Sequence, residues 1–105
     1  MVLSRQYGNG RLWVDLDKRE ASVAGMSLEL TVCEFELLSA LLRNLDKVQT
    51  KDELSLVALN RKWTSYDRSI DVHIKNLRHK LTAAGGGEHG IETVRGIGYR
   101  IARRA

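Results

Sequence analysis

"DRSIDVHIKNLRHKL", residues 67–81, decides how this chain is read. At an advance of about 100° per residue, Ile70, Leu77 and Leu81 fall within about 60° of Ile74. Four aliphatic side chains therefore share one stripe, the pattern of a helix with a single buried face. Asp67 supplies an N-cap, and the pattern runs to about Thr82. Val72, Asn76 and His79 fall on the opposite side, bordered by Arg68 and Lys75 on one edge and Ser69 on the other. Asp71 and Arg78 lie nearer the core boundary, placed to pair with each other or with a neighbouring helix.

The outward side carries no acid. A face built for solubility alone usually mixes Glu with Lys at i, i+4. This one sets an amide and an apolar methyl among cations. Asn pairs bidentately with adenine in the DNA major groove, Val packs on a thymine methyl, and Lys and Arg reach phosphate or guanine. A cation at Arg68, in the first turn, opposes the helix dipole, and an anion just outside the helix N-terminus would offset that. The alternative reading is an ordinary basic solvent face.

Working outward, "NRKWTSY" (60–66) has no periodicity and reads as a basic loop carrying Trp63 and Tyr66, aromatics that more often fold back on the core than meet a partner. Before it, "VQTKDELSLVAL" offers a capping box, Thr50 with Glu53, and then a short stripe of Leu54, Val57 and Ala58. "TVCEFELLSALLRNLDK" offers another box, Thr31 with Glu34, followed by Phe35, Leu38, Leu42 and Leu45 at helical spacing, widened by Leu37 and Leu41. This is the expected central helix. Cys33 lies in its first turn, off the Phe35 stripe. Upstream, "RLWVDL" (11–16), "EASVAG" (20–25) and "SLEL" (27–30) alternate like strands across turn-length gaps, with Trp13 and Leu28 expected in the core. Residues 1–9 show no periodicity and read as a tail or linker remnant, leaving 10–105 as one domain.

Downstream, "AAGGGEHG" is a break, and "IETVRGIGYRIA" reads as two strands about the turn Gly96-Ile97-Gly98. Arg95 stands at the tip of that hairpin, where a side chain can enter a narrow minor groove with its enhanced negative potential. Arg100, Arg103 and Arg104 extend a basic strip. A helix in one groove and a hairpin in the next make a two-point grip.

Charge distribution agrees. The formal net charge is +4, yet residues 1–60 carry seven bases against nine acids, and residues 61–105 carry ten against four. A basic half beside a mildly acidic half suits an oriented contact with a polyanion. No apolar run approaches the roughly 20 residues of a membrane span, no signal-peptide pattern opens the chain, and one cysteine makes no internal disulfide; a cytoplasmic protein is expected.

Catalysis finds no supply of groups. His73 and His79 do not share a helix face, so they lack the i, i+4 geometry of a zinc pair. "GGGEHG" precedes no helix and lacks G-K-S/T, and His89 reads as a loop residue. No catalytic residue, metal or cofactor is expected. A remaining rival is a similar fold turned to protein or double-stranded RNA, but a protein-binding face would present large apolar anchors.

"LTVCEFELLSALL", "VQTKDEL", "DRSIDVHIKNLRHKL" and "IETVRGIGYRI" together resemble the winged-helix effector domain of OmpR/PhoB-type response regulators, over roughly residues 11–102. The loop "LNRKWTSYDR" most resembles a CpxR-like branch. The resemblance implies an α+β fold: a four-stranded N-terminal antiparallel sheet whose remaining strand lies near Tyr7, three helices and a C-terminal β-hairpin wing. It implies sequence-specific binding of double-stranded DNA by the output domain of a two-component phosphorelay, on tandem half-sites and as a head-to-tail dimer. By similarity, Arg68, Val72, His73, Lys75, Asn76 and Arg78 supply contacts in the major groove. Thr93 and Arg95 belong to the wing, with Arg95 in the minor groove and Tyr99 near the DNA backbone. The segment from about Val57 to Tyr66 corresponds to the part that meets RNA polymerase in relatives, making Arg61, Lys62 and Trp63 candidates. Many relatives carry Arg where this chain has Asn76, so adenine at that position rests on hydrogen-bond geometry. The family's phosphorylated receiver domain is missing from the chain, which therefore resembles the effector half of a longer regulator.

Overall fold

The computed structural model describes residues 5–85 and 90–103. The expectations for His89 and for Arg104 lie outside them.

Four strands open the chain: β1 (Gln6–Asn9), β2 (Leu12–Asp15), β3 (Glu20–Val23) and β4 (Met26–Leu28), an antiparallel meander in sequence order. Alternation along β2 puts Leu12 and Val14 inward and Trp13 outward. The expectation that Trp13 belongs to the core is therefore corrected: it is 47% exposed and lies on the outer face of the sheet. Its cross-strand partner is Gly8, where a Cβ would stand 2.5 Å from the indole. Glycine there leaves room for the ring. Gln6–Asn9, within the stretch read as a tail, form a strand where the family resemblance implied one near Tyr7. Asn9, buried, donates from Nδ2 to the Ala102 carbonyl at 2.9 Å and joins the first strand to the end of the last.

α1 (Val32–Arg43) starts at the expected capping box: Thr31 Oγ1 accepts from the Glu34 amide, and the Glu34 carboxylate accepts from the Thr31 amide at 2.9 Å. Leu37, Leu38 and Leu41 are wholly buried, and the helix packs against both other helices and both sheets. It is the centre of the core. β5 (Gln49–Thr50) leads directly into α2 (Lys51–Leu59). The second cap is one-sided, with Thr50 Oγ1 accepting from the Glu53 amide at 3.1 Å. Leu54 is wholly buried and Ala58 half-buried, but Val57 is exposed, so the expected α2 stripe is narrower by that residue.

α3 (Ser69–Ala83) buries Ile70, Ile74, Leu77 and Leu81, the predicted stripe. Arg68, not Asp67, occupies the capping position, yet the Asp67 carboxylate accepts from the Ser69 amide at 2.9 Å and does the capping from one residue further out. Hydrogen bonding to Ser69, aided by Arg61, holds the Asp67 carboxyl below its ordinary range.

β6 (Ile91–Val94) and β7 (Gly98–Ile101) form the expected hairpin, closed by the Ile97 amide donating to the Val94 carbonyl, with Gly96 at φ +77°. The hairpin is one edge larger than the sequence suggests: β5 pairs with β7, giving a three-stranded order β5-β7-β6. Gly98 makes that pairing possible, since a Cβ there would lie 2.0 Å from the Gln49 carbonyl oxygen. The architecture is the winged-helix arrangement expected, with α1 and α2 behind α3 and the wing beside it.

Candidate nucleic-acid interface

The outward side of α3 is as the stripe requires. Arg68, Val72, Lys75, Asn76 and His79 are exposed, Val72 by 51%, while His73 is half-buried at the margin. Burying Ile70, Ile74, Leu77 and Leu81 against α1 leaves these positions no alternative to solvent. Arg68, Lys75 and Arg95 enter none of the ion pairs among the described residues. Arg95 is exposed on the turn between β6 and β7. Next to it Ile97, which the sequence reading assigns only to the turn, stands 53% exposed.

Three other candidates are engaged within the protein. Arg78 Nη2 donates to the Ile91 carbonyl and to Thr93 Oγ1, both at 3.0 Å, and its guanidinium lies 5.5 Å from the centroid of the Tyr99 ring. Thr93, on β6, is exposed and accepts that bond. Tyr99 is buried, and its hydroxyl donates to the Asp71 carboxylate. Burial and that bond push the phenol up to about 12, so it stays a neutral donor. Asp71 also takes Lys51 Nζ at 3.2 Å. Asp71 and Arg78 do not pair with each other: Asp71 meets the neighbouring helix α2 through Lys51, as offered, whereas Arg78 bonds the hairpin strands, which the sequence reading did not offer. The sequence signal for Asp71 was available: it is the one acid beside an otherwise acid-free face.

The 57–66 segment divides in the same way. Arg61 Nη2 bonds the Asp67 carboxylate at 3.1 Å and Ser69 Oγ at 2.7 Å. Trp63 is half-buried, its Nε1 donating to the Asp67 carbonyl at 3.1 Å and its amide to Asp52. Lys62 is exposed, and Tyr66, not among the candidates, is 93% exposed. Behind α3, Lys80 Nζ reaches the buried Glu34 carboxylate at 2.6 Å. Burial alone would raise that carboxyl, but the bonds from Lys80 and Thr31 outweigh it and hold it below its ordinary value. Burial pushes the Cys33 thiol up, which suits a structural cysteine better than a nucleophile. Among the described residues no group of three or more His, Cys, Asp or Glu is placed to hold a metal, and no helix is long and apolar enough to cross a membrane.

The family described as "Transcriptional regulatory protein, C terminal" matches residues 25–101, most of the chain. The chain belongs to that family. It is an OmpR/PhoB-type effector domain, of a family of transcriptional regulators and not of enzymes. The transcriptional regulatory protein CpxR of Escherichia coli (strain K12) is 44% identical over 82 residues, covering 78% of this chain and 35% of CpxR. The effector domain thus spans about a third of the length of the curated relatives it matches. In three dimensions it resembles the DNA-binding domain of CpxR from E. coli, with a TM-score of 0.87 and 37% identity over 97% of this chain and 100% of that one. It also resembles the Klebsiella pneumoniae RstA DNA-binding domain in complex with the RstA box, with a TM-score of 0.82 and 28% identity over 93% of this chain and 97% of that one.

Proposed function

We propose that this effector domain binds double-stranded DNA sequence-specifically, as the transcription-regulating output half of a two-component response regulator in the cytoplasm. α3 lies in the major groove and the β6–β7 wing in the adjacent minor groove. The observation that carries the reading is the exposed, acid-free face of α3, where Arg68, Val72, Lys75 and Asn76 stand together and neither cation enters an ion pair among the described residues, with Arg95 likewise exposed on the wing turn. Asn76 reads adenine, Val72 packs on a thymine methyl, and Arg68 and Lys75 hold phosphates. His73, at the margin of the face, and Thr93, on the wing, border the duplex. Arg78 and Tyr99 belong to the interface by similarity, but their side chains point into the protein's own network.

Two copies bind tandem half-sites head to tail, each covalently linked to a receiver domain. In the 57–66 segment Lys62 and Tyr66 are the exposed groups that suit contact with RNA polymerase, whereas Arg61 and Trp63 act chiefly by shaping the segment.

Selection of bound duplexes from a random pool, followed by titration of the selected duplex at two salt concentrations, tests the proposal. A recurring motif and an affinity that falls steeply with salt are expected. Absence of any motif together with flat affinity would leave a protein-binding module as the better account.

A further inference from the structure

Arg78 stands on the edge of α3 that faces the wing, and every bond it makes ends there. Nη2 holds the Ile91 carbonyl and Thr93 Oγ1 on β6, and the guanidinium lies against the ring of Tyr99 on β7. One side chain therefore grips both strands of the hairpin. Tyr99 is in turn tied back to α3 through Asp71, and Lys51 at the start of α2 pins Asp71. The described hydrogen bonds from α3 to the wing run through Arg78 and Asp71. Arg95, out on the turn, is held at its distance from Val72 and Asn76 by whatever fixes the hairpin to the helix.

We propose that Arg78 is a positioning residue: it clamps the wing at one angle to α3 and so sets where Arg95 reaches, instead of holding the duplex through a bond of its own. This rests on the DNA-binding reading above. The chemistry needs arginine. One guanidinium nitrogen bonds a carbonyl and a hydroxyl while the delocalised plane behind it lies near an aromatic ring, an arrangement that a compact ammonium on a shorter, flexible stem does not reproduce. A phosphate contact would be less demanding, because lysine keeps the charge.

The test is a double-mutant cycle on the full 105-residue chain, with binding to a selected half-site duplex as the readout. Arg78→Lys keeps the charge and loses the clamp. Thr93→Val removes one of the clamp's acceptors with no change in charge, at an exposed strand position suited to a β-branched residue. Each is expected to weaken binding by about three- to tenfold, within the coupling range of residues in one network. On an Arg95→Ala background both losses should shrink to less than about twofold, since the clamp then has nothing to aim. Base preference at the α3 positions should stay unchanged. Full affinity for Arg78→Lys, or losses that add undiminished to that of Arg95→Ala, would overturn the proposal and return Arg78 to direct contact. If Arg78→Lys does not fold, Thr93→Val carries the same comparison. Failure of the DNA-binding reading looks different: Arg95→Ala and Lys75→Ala would then both leave duplex affinity unaltered at low salt.

Discussion

Lys75 offers the sharpest quantitative test of the interface. It is exposed on the outward side of α3 and enters no ion pair among the described residues, as do Arg68 and Arg95. If these three cations displace counterions from a single half-site, the slope of log K against log salt is about −2.7, at roughly −0.9 per neutralised phosphate. Between 50 and 200 mM salt the affinity should then fall about 40-fold. Lys75→Ala removes one cation, so the slope should shallow to about −1.8 and the loss over the same range to about 12-fold. Folding is not at risk, because alanine is at least as good a helix former as lysine and the position is exposed. Lys18→Ala, at an exposed position in the turn between β2 and β3, serves as the control and should leave the slope alone. Fluorescence anisotropy on a half-site duplex at four or more salt concentrations measures both slopes. An unchanged slope for Lys75→Ala, or an equal change for Lys18→Ala, refutes the reasoning that the α3 face is the electrostatic contact.

Three further outcomes follow from named contacts. Asn76→Ala should cost about 1–3 kcal/mol on the preferred site and relax selectivity at one base position, which repeat selection from a random pool would show; an equal loss on all sequences would mean Asn76 reads no base. Glu34, held below its ordinary value of 4.5, binds fewer protons folded than unfolded, so its contribution to stability is complete above that value and is lost as pH falls through the lower, folded one. Glu34→Gln should cost about 1–3 kcal/mol at neutral pH and flatten that part of the acid limb in denaturant melts, and an unchanged limb would show that the Lys80 bond carries no linkage. Gly98→Ala sets a Cβ against the Gln49 carbonyl and should cost at least about 1–3 kcal/mol, with amide exchange rising first at β5 and β7; a variant of native stability and protection would contradict the close approach.

What the sequence made legible was local. Each capping Thr meets its backbone amide three residues on, and the stripe of Ile70, Ile74, Leu77 and Leu81 needs only the helical repeat. The outward face of α3 follows from the stripe without further information, because residues opposite four buried aliphatics must meet solvent. Features that depend on a distant partner were not legible. β5 is two residues long and becomes a strand only because Gly98 admits the Gln49 carbonyl. β1 contains Gly8 and Asn9, poor strand formers taken alone. The first is required by the Trp13 ring and the second is held by Ala102. Trp13 was misplaced because size argues for burial, while register, set by Leu12 and Val14 facing inward, argues the other way and wins.

The arginines show most plainly where reading stops. Arg61, Arg68, Arg78 and Arg95 all belong to the basic half of the chain, and composition treats them alike. Their donors suit a carboxylate, a carbonyl, a hydroxyl or a phosphate equally well. In the fold, Arg61 closes on Asp67 and Ser69 and Arg78 on Ile91 and Thr93, whereas Arg68 and Arg95 remain exposed. The division follows from which acceptors the chain brings within reach. Asp67 lies six residues from Arg61 and was within the scope of a local argument, but Thr93 reaches Arg78 only across the α3–β6 connection. A basic face therefore overstates the number of cations available to a polyanion, and the salt slope counts those that remain.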